Sequence, residues 1–219
     1  MTLLIGSLFG LFAAAFLLGS VPFGLIVSKT LYSRDLRQAG SGNIGATNAL
    51  RVLGKKGGAL VFLLDIGKGA LAGVLAKLLP GFAAVSLAAA ALPQGRFAAF
   101  AVAAAFSGAV LGHLFSPWLR FHGGKGVAVA AGCILTAFGP LMFLIEVIGF
   151  ALVVACTRYV SAGSLTAAVL VPFASLPVLW GHVLPWLICA VTAALVVWAH
   201  RANIKRLMAG TENKLGTKV

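Results

Sequence analysis

Nine consecutive residues, Gly40-Ser-Gly-Asn-Ile-Gly-Ala-Thr-Asn48, form a glycine-dense polar stretch in a chain that is otherwise almost wholly apolar. Arg51 follows three positions later. Glycines such as Gly40 and Gly42 let backbone N–H groups come close to an anion, while Ser41, Asn43, Thr47 and Asn48 offer side-chain hydrogen bonds. Arg51 adds a planar fork that matches a phosphate or carboxylate. Such a loop in a membrane chain suits a phosphorylated or acyl-phosphate ligand at the bilayer surface.

Two further clusters carry the same chemistry. Gly112-His113 is followed by Arg120-Phe-His-Gly-Gly-Lys-Gly126, which leads directly into an apolar run. Glycines before a helix start make a backbone anion cradle, with the helix dipole adding to it. Gly123, Gly124 and Gly126 would supply that cradle and Lys125 a mobile charge. The loop is not a Walker motif, because Gly126 stands where the magnesium-binding hydroxyl belongs. Taken alone, such a loop is more often an ordinary basic turn. The third cluster is His200-Arg-Ala-Asn203-Ile-Lys-Arg206, with Glu212 and Lys214 beyond. Helical spacing puts His200 and Asn203 on one face, with Arg201 beside them. A short stretch, Arg158-Tyr-Val-Ser161-Ala-Gly-Ser164, adds a cation and two hydroxyls. Ser164 either completes an anion site or caps the next helix.

Asp65 and Lys68 stand one helical turn apart inside an apolar run. Ionisable groups there face a bundle interior or a cavity, so the pair either steadies the floor of a site or takes part in chemistry. Glu146 has no local partner and reads as structural. Gly40-x-Gly42-x-x-Gly45, with Asp65 twenty residues on, matches the dinucleotide fingerprint in letters only. No strand precedes it, and Asp65 lies within an apolar span. Only four carboxylates exist, Asp35, Asp65, Glu146 and Glu212, and they are scattered. That is a poor set for a magnesium-dependent phosphotransferase. The three cysteines, Cys133, Cys156 and Cys189, lie in apolar segments without ligand spacing and read as packing residues.

The elements that hold these clusters are membrane helices. Sixty-one per cent of the residues are hydrophobic and 10% charged, and the mean hydropathy is +1.06. Leu3–Val27, Ala59–Leu79 and Phe97–Phe115 approach or exceed the roughly 20 residues a span needs. Leu165–Trp180 and Val183–Ala199 are shorter candidates. Val127–Cys156 is too long for one crossing and is broken by Gly139-Pro140. No Lys or Arg precedes the first run, so it reads as an uncleaved span, not a signal peptide. Fourteen of the 17 basic residues, Lys218 among them, fall in alternate loops and the tail. Those segments are expected to face the cytoplasm. Parity then favours an all-α bundle of seven spans, N-terminus outside and C-terminus cytoplasmic, with five spans as the alternative. The chain forms one membrane-embedded domain, residues 1–219. The net charge of +13 is accounted for by anionic lipid headgroups, with no nucleic acid partner. Pro80–Arg96, on the outer side, is expected to hold a short surface helix.

Taken together, the three clusters resemble the bacterial acyl-phosphate:glycerol-3-phosphate acyltransferases, the PlsY family. The match rests on Gly40–Asn48 with Arg51, on Gly112-His113 through Gly123-Gly-Lys-Gly-Val-Ala128, and on His200-Arg-Ala-Asn-Ile-Lys-Arg-Leu207 with Glu212 and Lys214. Leu64-Asp-Ile-Gly-Lys-Gly69 is also similar. Two positions depart from the pattern: Ser116 where a proline is expected, and Ala162 where a leucine is expected. The resemblance implies transfer of a fatty acyl group from acyl phosphate to the 1-position of sn-glycerol 3-phosphate. The products would be lysophosphatidate and phosphate, in the first step of bacterial phospholipid synthesis at the cell (inner) membrane. It implies no metal and no cofactor, and a soluble acyl-phosphate-producing enzyme as a possible partner. By matching positions, Ser41, Arg51, His200 and Asn203 would be catalytic. The resemblance also puts Gly123, Gly124 and Gly126, around Lys125, on the glycerol phosphate and gives Glu212 a structural role. By their own chemistry Gly40, Gly42, Asn43, Thr47, Lys125, Ser164 and Arg201 are substrate-binding candidates, and Asp65 with Lys68 reads as a structural pair. The attacking hydroxyl needs a base, either His200 or the substrate's own phosphate. A small transporter of organophosphate anions is the alternative, although the outer side is nearly devoid of polar groups. A membrane scaffold would not explain three polar clusters on one face.

Overall fold

In hydrocarbon every backbone polar group must be satisfied within the protein, and helices do this segment by segment. The computed structural model describes residues 1–216, so Lys218 lies outside the described residues. The described residues form ten α-helices with no strand. They are α1 (Thr2–Ser20), α2 (Phe23–Tyr32), α3 (Ala46–Leu78), α4 (Ala83–Ala89) and α5 (Arg96–Leu114). Next come α6 (Val127–Cys133), α7 (Pro140–Thr157), α8 (Val160–Leu179), α9 (Val183–Ala199) and α10 (Arg201–Met208).

Breaks fall where the sequence removes a donor or supplies an unusual conformation. Pro22 has no N–H to give and separates α1 from α2. α6 runs on as a wide turn, Ile134–Phe138, that ends at Gly139 with φ 105° before Pro140 opens α7. This is the expected Gly139-Pro140 break. α3 bends at Gly54, φ 79°. Within Pro80–Arg96, where a short helix is expected, stands α4.

Among the described residues, five helical stretches are long and apolar enough to cross a membrane, and a sixth is gained if α9 and α10, bent by 54°, count as one span. The remaining apolar stretch, Val127–Phe138, is shorter. At about 1.5 Å per residue it covers only part of a hydrocarbon core roughly 30 Å thick.

α5 is the central post. Phe106, Ala109 and Val110 are fully buried, and the helix packs on α1, α3 and α9. Without a hydrophobic drive between helices in lipid, close backbone approach through small residues holds them together. A Cβ on Gly19 of α1 would overlap the Ala109 carbonyl, and one on Gly112 the Phe16 carbonyl. The same holds between α3 and α6, at Gly69 against Val129 and Gly132 against Ile66. These contacts bring the starts of α3, α6 and α8 and the α9–α10 junction together around one shared cavity.

Candidate active site

The first polar loop is built around Asn48, which is 2% exposed. Its amide donates to the carbonyls of Leu36, Ala39 and Asn43 at 3.1, 3.1 and 2.8 Å. Its Oδ1 accepts the Ser41 N–H at 2.8 Å. Gly40 sits at φ 60°, and a side chain there would collide with Asn48 Oδ1. Left-handed backbone comes at little cost only for glycine. Asn43 Oδ1 accepts the Gly45 N–H at 2.8 Å, in the turn just before α3. The next residues, Ala46 and Thr47, line the cavity and occupy the first turn of the helix, whose amides have no intrahelical acceptor. One turn further on, Arg51 also lines it. The other carboxylates are engaged or unpaired: Asp35 with Lys29 and Arg37, Asp65 with Lys68, Glu212 with Arg206, while one Glu146 oxygen has no partner. Arg51 therefore faces the cavity with no carboxylate partner among the described residues.

The basic loop returns onto the end of α5. Gly123 N–H donates to the Leu114 carbonyl and Gly124 N–H to the His113 carbonyl, both at 3.0 Å. Gly126 then turns at φ 84° into α6. Lys125 Nζ donates to Asn203 Oδ1 at 2.5 Å. The other end of that amide donates to Glu212 Oε1 at 2.8 Å, and Arg206 Nε donates to Oε2 at 2.6 Å. Glu212 reaches this place because α10 closes with a left-handed Gly210 and the Thr211 N–H bonded to the Arg206 carbonyl at 2.9 Å. That closure folds the tail back on the helix. Burial alone would raise the Glu212 carboxyl, but the hydrogen bonds from Asn203 and Arg206 outweigh it and hold the group lower than usual. Burial, and then the charge of Arg206, push Lys125 down to about 8.

His200 is 2% exposed and lies at the α9–α10 junction. Its Nδ1 is 2.8 Å from the Val196 carbonyl. A carbonyl only accepts, so Nδ1 carries the proton and Nε2 keeps its lone pair. In the neutral imidazole, Nε2 is then the ring nitrogen that can accept a hydrogen bond.

The cavity has a volume of about 140 Å³. Ser41, Asn43, Thr47, Arg51, Lys125, Gly126, Ser164, His200, Asn203, Glu212 and Asp65 of the expected site residues line it. Gly40, Gly42, Gly123, Gly124, Arg201 and Lys68 do not. The N–H groups of Gly123 and Gly124 are spent inside the protein. Arg201 instead stacks on Trp198, 4.0 Å from its ring. Arg158 is also outside: its guanidinium donates to the Leu215 carbonyl at 2.9 Å, and its own carbonyl accepts the Leu215 N–H at 2.7 Å. Phe62, Phe150 and Val160, which carry no polar signal in the sequence, also line it, as do His113 and Ser161, which the sequence named within its polar clusters.

A family model described as glycerol-3-phosphate acyltransferase matches residues 9–210. The chain belongs to that family. The Rhodopseudomonas palustris (strain HaA2) glycerol-3-phosphate acyltransferase is 44% identical over 218 residues, covering 96% of this chain and 99% of its own. Glycerol-3-phosphate acyltransferase 2 of Moorella thermoacetica is 42% identical, covering 93% of this chain and 95% of its own. The fold is similar to crystal structures of PlsY (YgiH), an integral membrane glycerol 3-phosphate acyltransferase. The glycerol 3-phosphate form gives a TM-score of 0.79 at 36% identity, with 96% of both chains covered. The lysophosphatidic acid form gives 0.74 at 34% identity, with the same coverage.

Within this acyltransferase fold the departure at Ser116 has a local use. Its hydroxyl donates to the Ser20 carbonyl at 2.7 Å, and Trp118 Nε1 donates to the Ser20 hydroxyl at 2.9 Å. Together they tie the loop after α5 to the end of α1.

Proposed function

We propose that this membrane acyltransferase moves a fatty acyl group from acyl phosphate to the 1-hydroxyl of sn-glycerol 3-phosphate. Lysophosphatidate and phosphate result, as the first step of phospholipid synthesis in a bacterial inner membrane. The observation that carries the reading is the meeting of Arg51, Lys125 and three helix starts in one cavity that His200 also lines. Helix starts and cations favour phosphate, and two phosphates must be held at once.

An acyl phosphate is a mixed anhydride and needs no covalent acyl-enzyme to activate it. Ser41 and Arg51 hold its phosphate and the oxyanion that develops on the acyl carbon. Lys125 and the start of α6 hold the phosphate of glycerol 3-phosphate. His200 Nε2 takes the proton of the 1-hydroxyl as the new C–O bond forms. The acyl C–O bond to phosphate then breaks with its electron pair on the leaving phosphate, which receives the proton. The acyl chain passes Phe62 and Phe150 toward the hydrocarbon, and the positive loops set the cavity on the cytoplasmic side. A soluble enzyme that makes the acyl phosphate would deliver it there.

Acyl phosphate is expected to support turnover with purified protein, and acyl-CoA is not. Equal turnover with acyl-CoA as sole donor would contradict the reading. Among the described residues no three His, Cys, Asp or Glu side chains gather as a metal site. Activity is therefore expected to persist in EDTA, and loss restored by Mg²⁺ would count against the scheme.

The free enzyme's Lys125, at about 8, sits among Arg206, Glu212 and Arg51. It is charged below that pH and neutral above it. kcat/KM reports free-enzyme titrations, so kcat/KM for glycerol 3-phosphate is expected to fall as pH rises through about 8. Lys125→Arg, which stays charged, is expected to remove that fall. An unchanged limb in this variant would assign the titration elsewhere.

A further inference from the structure

The cavity floor holds an assembly to which the proposed reaction gives no role. Lys68 Nζ lies 2.8 Å from Asp65 Oδ1, 2.8 Å from the Val21 carbonyl and 3.0 Å from His113 Nδ1. Asp65, Lys68 and His113 are each at most 5% exposed. The ammonium thus joins α3 to the α1–α2 break and to the last turn of α5. The other end of the imidazole meets the basic loop. A Cβ on Gly124 would overlap His113 Nε2, with Cδ2 and Cε1 both 3.0 Å away, so the ring points tip-first at Gly124. The His113 carbonyl also accepts the Gly124 N–H. One residue on, Lys125 reaches into the cavity.

We infer that His113 is a positioning residue for Lys125. Lys68 holds the imidazole at Nδ1, the ring tip sets how closely the loop at Gly124 can approach α5, and that fixes where the Lys125 ammonium stands. Gly124 is a glycine because His113 occupies the space of its side chain, not because a phosphate must pass it. Packed protein interiors transmit such a displacement because they have little free volume. This inference rests on the acyltransferase reading of the cavity.

The test is a double-mutant cycle between Gly124 and His113, read in kcat and KM for glycerol 3-phosphate. Gly124→Ala alone is expected to raise KM at least tenfold, because the methyl group pushes the loop from a ring that cannot retreat. His113→Asn keeps an acceptor for Lys68 near the Nδ1 position and removes the ring tip. In that background the same Gly124→Ala change is expected to alter KM by less than threefold. His113→Ala provides the same cycle if the asparagine side chain refills the space. Gly126→Ala serves as control, since its Cβ would meet Leu114 and Val110 instead. It is expected to cost as much in the His113→Asn background as in the wild type. A role in folding alone would lower the amount of active protein, and so kcat, without moving KM. A Gly124→Ala penalty equal in all backgrounds would overturn the inference, as would one confined to kcat. Absence of acyl transfer by the wild-type protein would instead refute the reading of the cavity.

Discussion

Arg51→Ala is expected to lower kcat for acyl transfer about a hundredfold or more and to leave the protein folded. The guanidinium lines the cavity and pairs with no carboxylate among the described residues, so its removal leaves no buried acid uncompensated. What it takes away is a donor aimed where charge develops, and one such donor is worth roughly 3 kcal/mol in comparable sites. Ser41→Ala is expected to act in the same direction. Arg51→Lys is expected to recover little, because an ammonium cannot supply the two parallel N–H groups of the fork. Steady-state kinetics with acyl phosphate measures this directly. Full activity in both alanine variants would remove the first loop from the chemistry.

The second large effect is on stability. Lys68→Met is expected to cost about 3–5 kcal/mol, the usual consequence of leaving a buried partner charge alone. The Lys68 and Asp65 side chains are each 3% exposed, so water does little to screen the loss. Asp65→Asn combined with Lys68→Met is expected to recover most of it, because two neutral groups replace an ion pair. Thermal unfolding of the detergent-solubilised protein distinguishes the outcomes. If Lys68→Met unfolds with the wild type, the pair is not what steadies the cavity floor.

The parts of the fold that hydropathy determines were legible in the chain. Apolar runs marked the spans, Gly139-Pro140 marked the break, and Gly40–Asn48, Lys125 and His200 stood out as polar clusters. All of these are local signals. The way the clusters close on one another is not local. Lys125 meets Asn203 78 positions away, and Lys68 meets His113 45 positions away. Spacing says nothing about such pairs. For the same reason the glycines before Lys125 suggested a phosphate cradle, whereas Gly123 and Gly124 give their N–H groups to the end of α5. Arg158 and Arg201 looked like anion ligands by charge alone; one fastens the tail at Leu215 and the other stacks on Trp198. His113 was visible as a letter in a cluster, but the contacts that give it a place come from α3 and the loop after it.

Simultaneous measurement of phosphate release and ester formation tests the central claim most directly. Purified protein receives acyl phosphate and isotopically labelled glycerol 3-phosphate, and both products are followed in one reaction. The account predicts one phosphate released per acyl group transferred, with the label recovered as 1-acylglycerol 3-phosphate. Arg51→Ala and His200→Ala should slow both products equally. Phosphate release without labelled ester, or labelled ester formed only when acyl-CoA is supplied, would contradict it.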